Sequence, residues 1–186
     1  MKVATYISML RGINVSGQKI IKMADLKKAY EKSGFQNVKT YVQSGNVIFQ
    51  IAKAHPLKLS EKISETILKV FGFEVAVIVK TSEEMNQVIQ NNPFLKEKQI
   101  DRTRLYVTFL SQAPEITALK KLDGIEHGMD QFHCHNNEVY LYCPDGYGRA
   151  KLSNNFFEKI FSSVPTTRNW RTVTNLHEEA GILDGK

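Results

Sequence analysis

Apolar and polar positions alternate from the start of the chain. Val3, Thr5, Ile7 and Met9 stand against Ala4, Tyr6, Ser8 and Leu10, so the spacing predicts a buried strand over 3–10. Residues 11–17 read as a loop. Met23, Leu26, Ala29 and Tyr30 then recur at helical spacing, which predicts a helix over 23–33 with Gly34 as its stop. Strands follow over 38–43 and 46–51, around a tight turn containing Ser44-Gly45-Asn46. Centring that turn on Ser44-Gly45 or on Gly45-Asn46 leaves Val42, Val47 and Phe49 on one face either way. A helix over 57–71 turns Ile63, Ile67 and Val70 inward and ends at Gly72, and an apolar strand occupies 74–80. The order strand-helix-strand-strand-helix-strand is the ferredoxin-like split motif.

Ser82 opens a further helix with Glu83 and Glu84 in its first turn, where the macrodipole favours acids. Asn91-Asn92-Pro93 stops it. Beyond lies a strand over 105–110, then a helix starting at Pro114, a favoured first helical residue. A hairpin pairs 131–135 with 138–143 across Asn136-Asn137. Helices over 156–161 and from Trp170 to Gly181 complete the chain, the latter with Trp170, Val173, Leu176 and Ala180 on one face. The second half thus echoes the first without a matching sequence repeat. The expected fold class is α+β, two ferredoxin-like halves with antiparallel sheets and helices packed on them. The expected halves are 1–91 and 102–186, joined by a connection over 92–101.

The 186 residues suffice for one large or two small domains and need no covalent staple. No apolar run approaches the roughly 18 residues of a membrane span. Lys2 is followed at once by strand-like residues, so no signal-peptide layout is expected. Two cysteines, Cys134 and Cys143, are too few for a disulfide framework. A cytoplasmic protein without membrane association or cofactor is the expectation. The net charge of +6 is uneven: residues 1–50 hold eight Lys or Arg and two Asp or Glu, a balance of +6. Residues 51–100 stand at +1 (seven against six) and 101–186 at −1 (ten against eleven). Such asymmetry favours an anionic partner, a small molecule or a nucleic acid. A solvated helix face accounts equally well for Lys27, Lys28 and Lys32.

Three polar segments are richer in donors than plain turns require: Leu10-Arg11-Gly12-Ile13-Asn14-Val15, Gln43-Ser44-Gly45-Asn46-Val47 and Thr166-Thr167-Arg168-Asn169-Trp170-Arg171. Together with Met23-Ala24-Asp25-Leu26 and Val38-x-Thr40-Tyr41-x-Gln43-Ser44-Gly45-Asn46-Val47-x-Phe49, they resemble the "domain of unknown function 1697" family of bacterial conserved hypothetical proteins. Gly148-Arg149-Ala150-Lys151-Leu152 fits the same pattern. Ser16 stands where that family usually has a second glycine. The resemblance covers nearly the whole chain, and the family name implies no activity.

Gly12-x-x-x-x-Gly17-Gln18-Lys19 invites comparison with a phosphate-binding loop. That motif needs lysine directly after glycine, then a hydroxyl residue for magnesium. Here the lysine comes one place late and Ile20 replaces the hydroxyl, so a nucleotide-triphosphate loop is not expected. His133, Cys134, His135 and Cys143 invite a metal reading, but strand alternation puts Cys134 opposite both histidines. Phe132 and Cys134 share an apolar face with Val139, Leu141 and Cys143, so both cysteines are expected to be small core residues and no metal is expected. The other hairpin face presents His133, His135, Glu138, Tyr140 and Tyr142, which is acid–base machinery or an ordinary cross-strand set. RNA-recognition domains share the topology, yet the strand from Ser44 to Phe49 lacks their aromatic series; Tyr6 and Tyr41 are the only nearby stacking candidates. Trp170 is expected to anchor a core.

The expected function is non-covalent binding of an anionic ligand: a nucleotide, a nucleic-acid backbone or a phosphorylated metabolite. The alternatives are a small-molecule enzyme using the same polar loops and a protein-interaction or structural role. The candidate ligand-binding residues are Arg11, Asn14, Ser44, Asn46, Arg149, Lys151, Thr167, Arg168, Asn169 and Arg171; no catalytic residue is assignable. Residues 166–171 are expected to open the last helix, with Thr166, Thr167 and Asn169 as capping oxygens. Arginines at that positive end call for an internal carboxylate, such as Asp145 or Glu158, or a bound anion.

Overall fold

The computed structural model describes residues 3–122 and 124–185. They form two compact units, one of residues 1–86 with 175–186 and one of residues 87–174. In the first, β1 (Val3–Leu10), α1 (Met23–Lys32), β2 (Gln36–Tyr41), β3 (Asn46–Ala52), α2 (Pro56–Phe71) and β4 (Val77–Thr81) follow in order. The sheet runs β2-β3-β1-β4 and is antiparallel throughout. That is the ferredoxin-like arrangement expected from the alternation.

Pleating sends Tyr6 and Leu10 of β1, Val47 and Phe49 of β3, and Val77 and Val79 of β4 into one core with Leu26 and Tyr30 of α1 and Ile63 and Ile67 of α2. The Phe49 ring lies 5.8 Å from Tyr6, 5.7 Å from Tyr30 and 4.6 Å from Phe35 between centroids. Polar tips inside this core are satisfied: the Tyr6 hydroxyl donates to Ala54 O at 2.8 Å and accepts from its N–H at 2.9 Å. The Tyr30 hydroxyl meets Ser8 Oγ at 2.9 Å, and burial raises its pKa. Ile7, Met9, Ile48 and Ile78 on the opposite sheet face are buried as well.

Two expected core residues face outward. Val42 lies in the β2–β3 turn at φ 48 and is exposed, because the turn is longer than a two-residue hairpin and takes Val42 out of the strand. Val70 is exposed because Phe71, one position on, takes the inward place against the core. Gly72 ends α2 at φ 80, the left-handed cap expected there.

The second unit repeats the order. After α3 (Ser82–Gln90) come β5 (Leu105–Leu110), α4 (Ile116–Leu122), β6 (Gln131–His135), β7 (Glu138–Tyr142), α5 (Asn154–Phe161), β8 (Pro165–Asn169) and α6 (Trp170–Leu183). The sheet order β6-β7-β5-β8 matches the first unit strand for strand. The hairpin register pairs Phe132 with Leu141 and Cys134 with Val139, as the Asn136-Asn137 turn predicts. Leu110, Val139, Leu141, Cys143, Phe157 and Phe161 form its core. Trp170 is buried, as expected of an anchor.

Residues 165–169 correct the expectation of a helix start: they are strand β8, paired antiparallel with β5 from Tyr106↔Asn169 to Leu110↔Pro165. Asn169 does cap α6, its Oδ1 accepting from the Thr172 N–H at 2.8 Å. Helix α6 also continues past Gly181 to Leu183, since an isolated glycine weakens a helix without ending it. Its far part belongs to the first unit. There Asn175 Nδ2 donates to the Tyr41 hydroxyl, Lys39 pairs with Glu179 at 3.1 Å, and Gln50 Nε2 donates to Leu183 O at 3.0 Å.

Both cysteines are free thiols. Cys143 is fully buried, and burial with the neighbouring Asp130 carboxylate pushes its pKa up to about 12. Cys134 is only half-buried, because β6 is the edge strand of its sheet, and burial pushes its thiol up to about 11. Native thiol labelling is therefore expected in two phases at neutral pH, Cys134 before Cys143, both slow against the unfolded chain. Equal native rates, checked by mass spectrometry of the labelled peptides, would contradict this placement.

Candidate functional site

The first two polar segments meet at one end of the first sheet. Leu10 N donates to Gly45 O and Arg11 N to Ala76 O, both at 2.9 Å, so the loop after β1 leaves between the β2–β3 turn and the segment before β4. Asn14 staples this corner. Its Nδ2 donates to Ile21 O at 3.0 Å and Gln43 O at 2.9 Å, and its Oδ1 accepts from Ile21 N at 2.8 Å. Asn46 is buried and donates to Ser44 Oγ at 2.8 Å and Tyr41 O at 3.3 Å. Arg11 is half-buried and Ser44 exposed. Ser16 sits at φ 50, a conformation a glycine adopts freely. No helix follows Gly17 until Met23, and Lys19 Nζ donates to Glu74 O at 2.7 Å, so the loop lacks the lysine and helix arrangement of the nucleotide-triphosphate motif.

The remaining sequence candidates lie in the second unit. Arg149 ends a short 3-10 turn (Tyr147–Arg149) and is exposed. Lys151 is exposed; its backbone N–H donates to Asp130 Oδ2 at 3.2 Å and its Nζ to Glu126 O at 3.4 Å. Thr167 Oγ1 is a hub, donating to Asn154 Oδ1 at 2.7 Å and lying 2.7 Å from Thr108 Oγ1 and 2.9 Å from the Tyr147 hydroxyl. Arg168 is buried, with Nη1 donating to Thr167 O at 2.9 Å and Thr166 Oγ1 at 3.1 Å. Burial lowers its guanidinium pKa to about 10. Arg168 points from a strand, and only the exposed Arg171 lies in the first turn of α6. On the hairpin, His133 and His135 are exposed while Glu138 and Tyr140 are buried, the Tyr140 hydroxyl donating to Val88 O at 2.9 Å. Among the described residues no three His, Cys, Asp or Glu converge as a metal site.

The structure also forms a cleft that the motifs do not mark. A cleft of about 630 Å³ opens between α1 and α2, lined by Asp25, Lys28, Ala29, Lys32, Ser33, Thr66, Lys69, Val70 and Phe71. Helical spacing builds it: Lys28 and Lys32 are one turn apart, as are Thr66 and Val70, with Lys69 beside them. Lys28 lies 3.9 Å from Asp25. Among the described residues no ion pair engages Lys32 or Lys69. Both stand in the last turn of their helices, where a cation meets the negative end of the macrodipole. Lysine i,i+4 spacing on α1 was the available signal, but it reads equally as a solvated face; Lys69 joins it only through the packing of two helices.

The family model "Protein of unknown function (DUF1697)" matches residues 3–140. The chain belongs to the DUF1697 family. The match takes in the β1 loop and the β2–β3 turn; Arg149, Lys151 and residues 167–171 lie beyond it. The chain is also similar in fold to a solved structure, the conserved bacterial protein SP0830 from Streptococcus pneumoniae. The TM-score is 0.77 at 18% identity, covering 96% of this chain and 99% of that one. No curated protein matches. Among the described residues of this DUF1697 chain, no helix is long and apolar enough to cross a membrane.

Proposed function

We propose that this DUF1697 protein binds an anionic ligand non-covalently, in the basic cleft between α1 and α2. The observation that carries this is the lining: Lys28, Lys32 and Lys69 face a concavity of about 630 Å³ whose one acid, Asp25, lies beside Lys28. The volume falls within the range of small-molecule sites, roughly 300–1,000 Å³. The concentration of positive charge in residues 1–50 supports the same sign of partner. The exposed Arg149, Lys151 and Arg171 remain candidate anion contacts of the second unit.

The test is a titration of the whole chain with inorganic phosphate, followed by thermal shift. The melting temperature is expected to rise. Lys32→Gln combined with Lys69→Gln is expected to weaken binding about fivefold, from two exposed ion pairs at about 0.5 kcal/mol each. Lys96→Gln with Lys98→Gln, outside the cleft, serves as the control. Equal losses in both double variants would mean general charge attraction and would overturn the cleft as the site. Steeply salt-dependent affinity for a single-stranded oligonucleotide, unaffected by the cleft changes, would move the function to a nucleic-acid surface elsewhere.

A further inference from the structure

The polar floor of the α1–α2 cleft restricts what its ligand must carry. Ser33 Oγ donates to Ala29 O at 2.9 Å, and Thr66 Oγ1 donates to Lys62 O at 2.8 Å. The two hydroxyl oxygens lie 3.1 Å apart. Each hydroxyl has one proton and two lone pairs. With both protons given to backbone carbonyls, the 3.1 Å contact has none of its own, and the two oxygens turn lone pairs to an incoming group. The lysines are the donors that meet negative charge; the Ser33–Thr66 pair offers acceptors.

A bare phosphate presents almost only acceptors, so it engages the lysines and leaves the hydroxyl pair unmatched. A ligand with its own hydroxyls beside the charged group satisfies both. The exposed Val70 and half-buried Phe71 add an apolar wall for its C–H face. Resting on the anion-site reading of this cleft, we infer that its ligand is a phosphorylated polyhydroxyl compound of the sugar-phosphate class. The phosphate sits among Lys28, Lys32 and Lys69, and a ligand hydroxyl donates to Ser33 Oγ or Thr66 Oγ1.

Titration of the full chain with glucose 6-phosphate, inorganic phosphate and glucose separates the two proposals. Glucose 6-phosphate is expected to bind about fivefold to tenfold more tightly than inorganic phosphate, as one or two further net hydrogen bonds allow. Thr66→Val keeps the branched shape and removes the acceptor. It is expected to cut the preference for glucose 6-phosphate over inorganic phosphate to less than about twofold. Ser33→Ala should act in the same direction, and guards against a local effect of valine on α2. Equal affinities in the wild type, or a preference that survives both changes, would overturn the sugar-phosphate assignment and leave the anion site standing. Absence of a response to either phosphate compound would remove the anion site and this assignment with it.

Discussion

Phe49→Ala is expected to destabilise the protein by about 3–5 kcal/mol, the range for emptying a buried aromatic site. For a chain of this size that lowers the melting temperature by roughly 6–20 °C. Phe49 is fully buried, and three rings close around it: Phe35 and Tyr30 meet it edge-on and Tyr6 stacks. Tyr6 and Tyr30 are both tethered through their hydroxyls, to Ala54 and Ser8, so neither ring is free to collapse into the void. Phe49→Leu refills most of the volume and is expected to lose about 1–1.5 kcal/mol. Chemical denaturation of the two variants checks this. A leucine variant as unstable as the alanine one would assign the loss to ring–ring geometry instead of volume.

Gly45→Ala, one methyl group larger, is expected to destabilise by about 3 kcal/mol, from left-handed backbone strain of about 1–2 kcal/mol plus overpacking of about 1–3 kcal/mol. Gly45 sits at φ 73, and a Cβ there would stand 2.7 Å from Ile13 Cδ1 and 2.8 Å from Leu10 Cβ. The Leu10 atom is next to the backbone and cannot swing away. Its strand is also tied to this turn by the bond from Leu10 N to Gly45 O at 2.9 Å. Gly12→Ala separates the two contributions, because Gly12 sits at φ 67 and an added methyl would meet nothing within 4 Å. It meets the backbone strain alone and is expected to lose about 1–2 kcal/mol. Equal melting temperatures for the two variants would show that the Gly45 contact relaxes without cost.

Most of the fold was legible because its strands alternate cleanly. Spacing alone put Tyr6 and Leu10 on one face of their strand and Val47 and Phe49 on one face of theirs, and the Asn136-Asn137 turn set the register of Phe132 against Leu141. Strand β8 was not legible. Pro165, Thr166, Thr167, Arg168 and Asn169 have no apolar alternation and carry residues that usually cap helices, and only pairing with β5 makes them a strand. Val70 was misplaced because Val70 and Phe71 both suit the inward side of α2, and packing chose the larger. Of the candidate ligand-binding residues, Asn14 bonds to Ile21 and Gln43, and Asn46 to Ser44, contacts that spacing along the chain does not reveal. The α1–α2 cleft had no motif to betray it, since Lys32 and Lys69 come together only in the folded unit.

The course of α6 bears on the order in which the protein can be finished. Residues 175–186 belong to the first unit, where they supply partners for Tyr41, Lys39 and Gln50. On the ribosome these residues are made only after the whole of 87–174. The first unit to begin folding is thus the last to be complete, and β2 must wait for α6 through the synthesis of nearly ninety intervening residues. During that interval Tyr41, Lys39 and Gln50 lack those partners, and β2 is an edge strand, the kind of surface that pairs wrongly with other nascent chains.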